Sequence, residues 1–210
     1  RFYFYRTPTL LKSILKPCTW TRPTQNKTLY LTFDDGPVPD ATPWVLEILK
    51  TYEAKATFFV VGENVARYPE LFKAVINEGH TIGNHSYHHL KGWTTTEAHY
   101  IADVLRCEEL IRKNGYQRSG KPLFRPPYGR IKFGQLKRLS NDFEIIMWEL
   151  LSGDFDKKLN LSSSWKALSQ AAGGDLLVFH DSPKYLHNVK FLLPKLLQHF
   201  AGLGYTFAPL

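Results

Sequence analysis

Short apolar runs alternate with amphipathic segments along most of the chain. The runs are three to six residues long, carry few charges and are rich in aromatic, aliphatic and β-branched side chains. Such runs are typical of buried strands. Seven strands are therefore predicted, at residues 29–33, 56–61, 81–83, 123–125, 143–148, 176–180 and 205–208.

The segments between these runs repeat apolar residues at the spacing of a helix. Pro43 and Pro69 stand where the first turn of a helix tolerates proline, and Thr94 with Glu97 fits a capping box. Helices are predicted to begin near residues 8, 42, 69, 94, 133, 164 and 185.

Strand and helix alternate seven times, and the strands are apolar throughout rather than at every second position. Such strands are buried on both faces, as in a parallel sheet covered by helices. We therefore predict a compact, distorted α/β barrel of seven strand–helix units, with a doubly wound open sheet as the alternative. In this prediction residues 29–210 form one domain, and residues 1–28 are a lead-in segment packed on it.

Composition supports one globular domain. The 210 residues are 43% hydrophobic and 14% aromatic, which suffices for a full core and argues against disorder. Cys18 and Cys107 are too few for a disulfide framework or a thiolate zinc site. We therefore expect two buried free thiols.

The net charge of +8 favours acidic partners, but the Lys and Arg residues are scattered. A nucleic-acid role rests on charge alone, so we expect none, whereas an anionic glycan would be attracted by the same field. No apolar stretch reaches the roughly 18 residues that span a bilayer. Residues 1–6 are too short for a signal peptide. The compartment stays open between cytoplasm and cell envelope, and we expect a monomer.

Two adjacent carboxylates, Asp34 and Asp35, follow the first predicted strand and precede Gly36 and Pro37. Asp-Gly and Gly-Pro pairs are common in ordinary turns, so a plain turn is one interpretation. Two like charges side by side repel, however, and persist most readily where a cation or hydrogen-bond donors neutralise them.

Other polar residues fall at the same ends of other strands. His85 and His89 follow the third strand, and Arg125, Asp154 and His180 end or follow the next three. Because the carboxyl ends of parallel strands face one side of a sheet or barrel, we expect these side chains to lie together.

His85 and His89 are four residues apart, a spacing that lets two imidazoles meet one metal, most simply on a helical turn. An aspartate from the first strand would complete a set of two histidines and one carboxylate. Such a set suits Zn²⁺ or another divalent transition metal and leaves positions open for water and substrate. His88 is expected to be a solvated loop residue.

Four motifs, taken in their order along the chain, resemble those of a known family. Residues 32–37 (TFDDGP), 85–89 (HSYHH) and 125–128 (RPPY), with His180 at a strand end, resemble those of polysaccharide deacetylases, the NodB-homology domains of carbohydrate esterase family 4. The resemblance covers roughly residues 28–210. It implies a distorted, NodB-like (β/α)7 barrel and metal-dependent removal of N-acetyl groups from N-acetylglucosamine polymers such as peptidoglycan or chitin-like oligomers.

The resemblance also assigns the metal site. It makes Asp35, His85 and His89 the ligands of a divalent metal, with Zn²⁺ as the first expectation and Co²⁺ or Ni²⁺ as alternatives. It makes Asp34 the general base, which takes a proton from the metal-bound water that attacks the acetamide carbonyl.

Four further catalytic roles follow from the same resemblance. His180 would protonate the leaving amine, supported by Asp154. Arg125 would pair with Asp34 and keep it ionised. The backbone N–H of Tyr128 would stabilise the oxyanion.

Three residues depart from the family pattern near the predicted substrate contacts. The fourth motif has Leu151 where an acidic residue is usual and Phe155 where Trp is usual, and the fifth has Val178 for Leu. A pocket for the acetyl methyl group still follows from Phe155 and Val178. Substrate contacts are also predicted for Pro127, Tyr128 and Trp148, and Trp44 and Trp93 are further candidate sugar platforms.

Two alternative functions remain at this point. An esterase acting on O-acetylated polysaccharide such as xylan would use the same residues. The second alternative is a non-catalytic glycan-binding domain that has kept the fold. Loss of Asp34 or His180 would have favoured it, and both residues are present.

Overall fold

The computed structural model describes residues 3–210 of the chain. Within this range the strands are β1 Cys18–Thr19, β2 Thr28–Asp34, β3 Thr57–Val60, β4 Thr81–Asn84, β5 Leu123–Phe124, β6 Glu144–Ile146, β7 Leu150–Leu151, β8 Leu176–His180 and β9 Thr206–Phe207. The α-helices are α1 Thr9–Ile14, α2 Thr42–Thr51, α3 Gly62–Arg67, α4 Pro69–Asn77, α5 Glu97–Lys113, α6 Phe133–Asp142, α7 Leu161–Leu168 and α8 Leu186–Gly202.

The strands form one curled sheet in the order β1-β6-β5-β4-β3-β2-β8-β7, with β9 beside β2. Every pairing between these strands is parallel. Helices lie between successive strands except between β1 and β2 and between β6 and β7, and the predicted distorted α/β barrel is confirmed.

Strand β2 shows why the strands are apolar on both faces. Leu29, Leu31 and Phe33 belong to a cluster with buried residues of α2 and α8. Tyr30 packs in a separate cluster that contains Phe59 of β3. One face of the sheet therefore meets the helices and the other fills the barrel, as expected for parallel strands.

The lead-in segment adds backbone pairing at both edges of the sheet. Its β1 lies beside β6, and Arg6 bridges Leu150 of β7 in antiparallel fashion. The Leu151 N–H donates to Tyr5 O at 2.8 Å, and the Thr7 N–H donates to Glu149 O at 2.9 Å. The described part of the predicted lead-in thus contributes to the barrel, while residues 1 and 2 lie outside the described range.

Several local predictions differ from the structure. β1, β7 and the short helix α3 were not predicted. The capping box at Thr94 and Glu97 is wrong, because α5 begins at Glu97 and its cap residue, Thr96, makes no side-chain capping bond.

Two further features concern the described range. Cys18 and Cys107 are free and buried, as predicted. None of the helices there combines the length and the apolar character that crossing a membrane would require.

Candidate active site

The polar residues at the carboxyl ends of the strands surround one cavity of about 280 Å³. Asp34 ends β2, His180 ends β8, and His85 directly follows β4. The cavity is lined by Tyr3, Asp34, Asp35, His85, His89, Tyr128, Gly129, Arg130, Trp148, Leu151, Phe155, Val178, His180 and Tyr185. The predicted gathering of these strand ends is therefore present in the structure.

Asp35, His85 and His89 offer one ligand atom each, and these atoms lie within 4.8 Å of one another. Asp35 Oδ1 is 3.2 Å from His89 Nε2 and 3.9 Å from His85 Nε2. One oxygen therefore faces both imidazoles. Two nitrogens and one carboxylate at this spacing fit a divalent transition metal, which takes three protein ligands in catalytic sites.

The outer nitrogen of each imidazole has a partner that orients the ring. His85 Nδ1 lies 2.8 Å from Arg125 O, and because a carbonyl only accepts, Nδ1 carries the proton and Nε2 keeps its lone pair. Burial lowers the pKa of His85 to about 4, so its neutral, metal-binding form is present at neutral pH. His89 Nδ1 lies 3.1 Å from Tyr128 Oη.

The charge on Asp35 is favoured by its neighbours. Burial alone would favour the neutral acid, but the hydrogen bond with His89 and the fields of His180, His89 and His85 outweigh it. They hold the pKa of Asp35 below its ordinary value, which keeps its carboxylate charged and suited to bind a cation.

The two histidines do not lie on a helical turn, as their spacing had suggested, but in the loop after β4. The backbone of this loop is unusual, because Ser86 has φ 64° and His89 has φ 55°. Asp35 (φ 85°) and Tyr128 (φ 60°) share the left-handed conformation. In the described chain only one other non-glycine residue has it, so the strained backbone concentrates at this site, as at many functional sites.

Asp34 is paired with a fully buried arginine. Arg125 Nη1 donates to Asp34 Oδ1 and to Thr32 Oγ1, each at 2.7 Å, and Nη2 donates to Met147 O at 2.9 Å. Burial lowers the pKa of Arg125, an effect that the charge of Asp34 opposes. The second carboxylate oxygen, Asp34 Oδ2, lies 4.0 Å from His85 Nε2, beside the candidate metal ligands.

His180 is held by Asp154, which is fully buried. His180 Nδ1 and the His180 backbone N–H each lie 2.7 Å from an oxygen of Asp154. Burial would lower the pKa of His180, but the charge and hydrogen bond of Asp154, with the charges of Asp35 and Asp34, raise it to about 10. The imidazole is therefore protonated at neutral pH.

Asp181 is a buried acid that was not predicted from the sequence. Its Oδ1 accepts from the Gly36 N–H at 3.0 Å, and its Oδ2 accepts from Thr42 Oγ1 at 2.6 Å. Burial raises its pKa to about 8. Asp181 thereby joins the end of β8 to the turn after Asp35. Its position next to His180 in the sequence is the feature that could have identified it as a site residue.

A second missed acid, Asp103 on α5, holds the histidine loop. One oxygen accepts from the backbone N–H groups of Tyr87 (2.9 Å) and His88 (3.0 Å), and the other contacts His88 Nδ1 at 2.5 Å. His88 is exposed on this loop, as expected, and its contact with Asp103 is an addition that was not predicted.

Most predicted substrate residues line the cavity, and the exceptions are clear. Tyr128, Trp148, Phe155 and Val178 line it together with Leu151. Pro127 is buried, Trp44 is half-buried and Trp93 is exposed. None of the three belongs to the lining, so their contacts with substrate remain predictions. Four lining residues were not predicted: Tyr3, Gly129, Arg130 and Tyr185.

Comparison with known proteins agrees with this geometry. The family model described as polysaccharide deacetylase matches residues 21–141. A peptidoglycan-N-acetylglucosamine deacetylase of Bacillus cereus is 33% identical over 204 residues, which cover 94% of this chain and 94% of that protein. A second protein of that name and organism is 34% identical over 86% of this chain and 66% of its own length.

A solved structure shows the same architecture. The crystal structure of a peptidoglycan N-acetylglucosamine deacetylase in complex with a naphthalenyl N-hydroxybenzamide superposes with a TM-score of 0.84 at 30% identity. The match covers 97% of this chain and 95% of that chain.

Proposed function

Since the chain belongs to the polysaccharide deacetylase family of metal-dependent amide hydrolases, we propose that it removes N-acetyl groups from N-acetylglucosamine units of a glycan such as peptidoglycan. One observation carries the proposal. The three metal-binding side chains lie in one cavity with an Asp34–Arg125 pair and a His180–Asp154 pair. A base, an acid and a Lewis-acid site are the groups that amide hydrolysis requires.

Asp35, His85 and His89 would hold the divalent cation. When bound, it makes a nearby water more acidic and polarises the acetamide carbonyl. Zn²⁺ suits two imidazoles and a carboxylate best, with Co²⁺ and Ni²⁺ as the alternatives.

Asp34 is the base in this proposal. Arg125 occupies its Oδ1, which leaves Oδ2 on the side of the metal ligands. The fully buried guanidinium orients the carboxylate through Oδ1, and Oδ2 is the atom that accepts a proton from the attacking water.

His180 is the acid. The amine formed when the amide C–N bond breaks is a poor leaving group unless it is protonated, and His180 carries a proton at neutral pH. Asp154 binds Nδ1, so Nε2 is the atom that donates the proton to the amine.

Tyr128 and three apolar lining residues receive the acetyl group. The backbone N–H of Tyr128 donates to the oxyanion, and the left-handed conformation of this residue sets its direction. Leu151, Phe155 and Val178 give the cavity an apolar side for the methyl group. We further propose that the protein works as a monomer on cell-envelope glycan.

Acetate release from N-acetylglucosamine oligomers tests the reaction. We expect release that stops with a chelator and returns with Zn²⁺ or Co²⁺. No release by protein that binds one metal ion per chain would contradict the proposal. Acetylated xylan is the comparison substrate, and release from it alone would assign the protein to O-acetyl esters.

In Asp154→Asn, the loss of activity at alkaline pH should begin at a lower pH than in the wild-type protein. Because His180 acts in its protonated form, activity is lost as pH rises through its pKa. The substitution removes the charge that raises that pKa, so the alkaline limb of the kcat–pH profile should move down by about two pH units. Asp142→Asn is the exposed control and should leave the limb in place; an unmoved limb in Asp154→Asn would contradict the acid role.

A further inference from the structure

Tyr3 lines the catalytic cavity although it precedes every motif and lies outside the residues matched by the family model. It reaches the cavity because the lead-in runs antiparallel to β7. That strand ends at Leu151, shortly before Asp154. The contribution of Tyr3 is therefore independent of the family motifs.

Tyr3 continues a row of aromatic rings that starts at the catalytic acid. The Phe155 ring lies 5.7 Å from that of His180 at 73°, and the Tyr3 ring lies 5.1 Å from that of Phe155 at 60°. Tyr185 lies on His180 as well, at 5.5 Å. We call Tyr3, Phe155 and Tyr185 the aromatic wall.

The lead-in holds Tyr3 close to the backbone that follows β7. A Cβ atom added at Gly153 would lie 2.9 Å from Tyr3 Oη and 3.1 Å from Tyr5 Cε1, so only glycine allows this approach. Arg6 anchors the same segment, since it pairs with Glu149 at 2.7 Å and with Asp175 at 3.2 Å. Both acids are buried.

The position of the wall indicates what it contacts. His180 protonates the leaving amine, so the sugar that carries this amine must lie beside His180. A pyranose ring has an apolar C–H face, which packs well on aromatic rings. Tyr3 lies one ring further from His180 than Phe155, where the next sugar of a chain would follow.

We propose that Tyr3 is a specificity-determining residue that stacks on the sugar next to the one being deacetylated, so that the site selects oligomeric glycans over single acetamido sugars. This inference rests on the proposed function. It assigns part of the substrate selection to the lead-in rather than to the motif-bearing strands.

The test compares Tyr3→Ala with Tyr3→Phe and Phe4→Ala. Phe4 is the matched control because it is 54% exposed and does not line the cavity. The probes are β-1,4-linked N-acetylglucosamine oligomers of one to four sugars, with kcat and KM from acetate release and Kd from titration calorimetry. Wild-type affinity should rise stepwise with length, and Tyr3→Ala should remove one step of about tenfold.

The expected pattern separates stacking from structural support. In Tyr3→Ala, KM and Kd for the longer oligomers should rise while kcat stays within about twofold, and Tyr3→Phe should restore both. A uniform fall in kcat at every length, or affinities like those of the wild type, would overturn the inference. Absence of acetate release by the wild-type protein would instead refute the proposed function, and the Kd series would still decide the role of Tyr3.

Discussion

Asp35→Ala should abolish metal binding and deacetylation together. Asp35 Oδ1 faces both imidazoles, so its removal leaves two imidazoles without the carboxylate that completes the set of ligands. Without the cation the water and the carbonyl lose their activation. We expect acetate release to fall by at least about a thousandfold, and bound metal, measured by elemental analysis after dialysis, to fall from one per chain to near zero.

The matched control for this substitution is Asp40→Ala. Asp40 lies on the same loop and is exposed, so the variant removes one acidic side chain without touching the cavity. It should keep both metal and activity. A variant of Asp35 that bound a full equivalent of metal would contradict the assignment of Asp35 as a ligand, whatever its activity.

The difference between spacing and structure at His85 and His89 has a clear cause. Four residues fit one helical turn, but side chains satisfy the backbone of this loop instead. Asn84 Oδ1 accepts from the Ser86 N–H at 2.8 Å, and Asp103 accepts from the next two N–H groups. Such local bonds compete with a helix. The spacing therefore indicated two side chains that can face one metal ion, while the backbone of their loop depends on Asp103 of the following helix, α5.

The same distinction applies to the fold. The apolar runs of β2, β3 and β8 are long enough to be recognised, and their strand ends carry the chemistry. β1 and β7 have two residues each, too few for any period, and their pairing is set by contacts with distant parts of the chain. For this reason the sequence predicted only that the lead-in packs on the domain, and Tyr3 was not predicted to lie at the cavity.

Asp34→Asn should lose activity but keep its bound metal, in contrast to Asp35→Ala, which should lose both. Asparagine keeps an oxygen that can accept from Arg125, and Arg125 keeps its bonds to Thr32 and Met147, so the fold and the three metal ligands persist. The amide is not a base, however, and the proton of the attacking water has no acceptor. Because general base catalysis contributes about 10² to 10⁴-fold, acetate release should fall by about a thousandfold with metal content unchanged.

Metal content and rate must be measured on the same preparation, because a loss of both would place Asp34 among the ligands rather than at the base. Retained turnover in metal-loaded Asp34→Asn would remove it from the mechanism. The contrast with Asp35→Ala is the informative result. Two adjacent carboxylates of one strand end then have separate functions, since Arg125 engages one and two imidazoles engage the other. The direction of each side chain, rather than its residue type, decides which acid binds the metal and which one moves the proton.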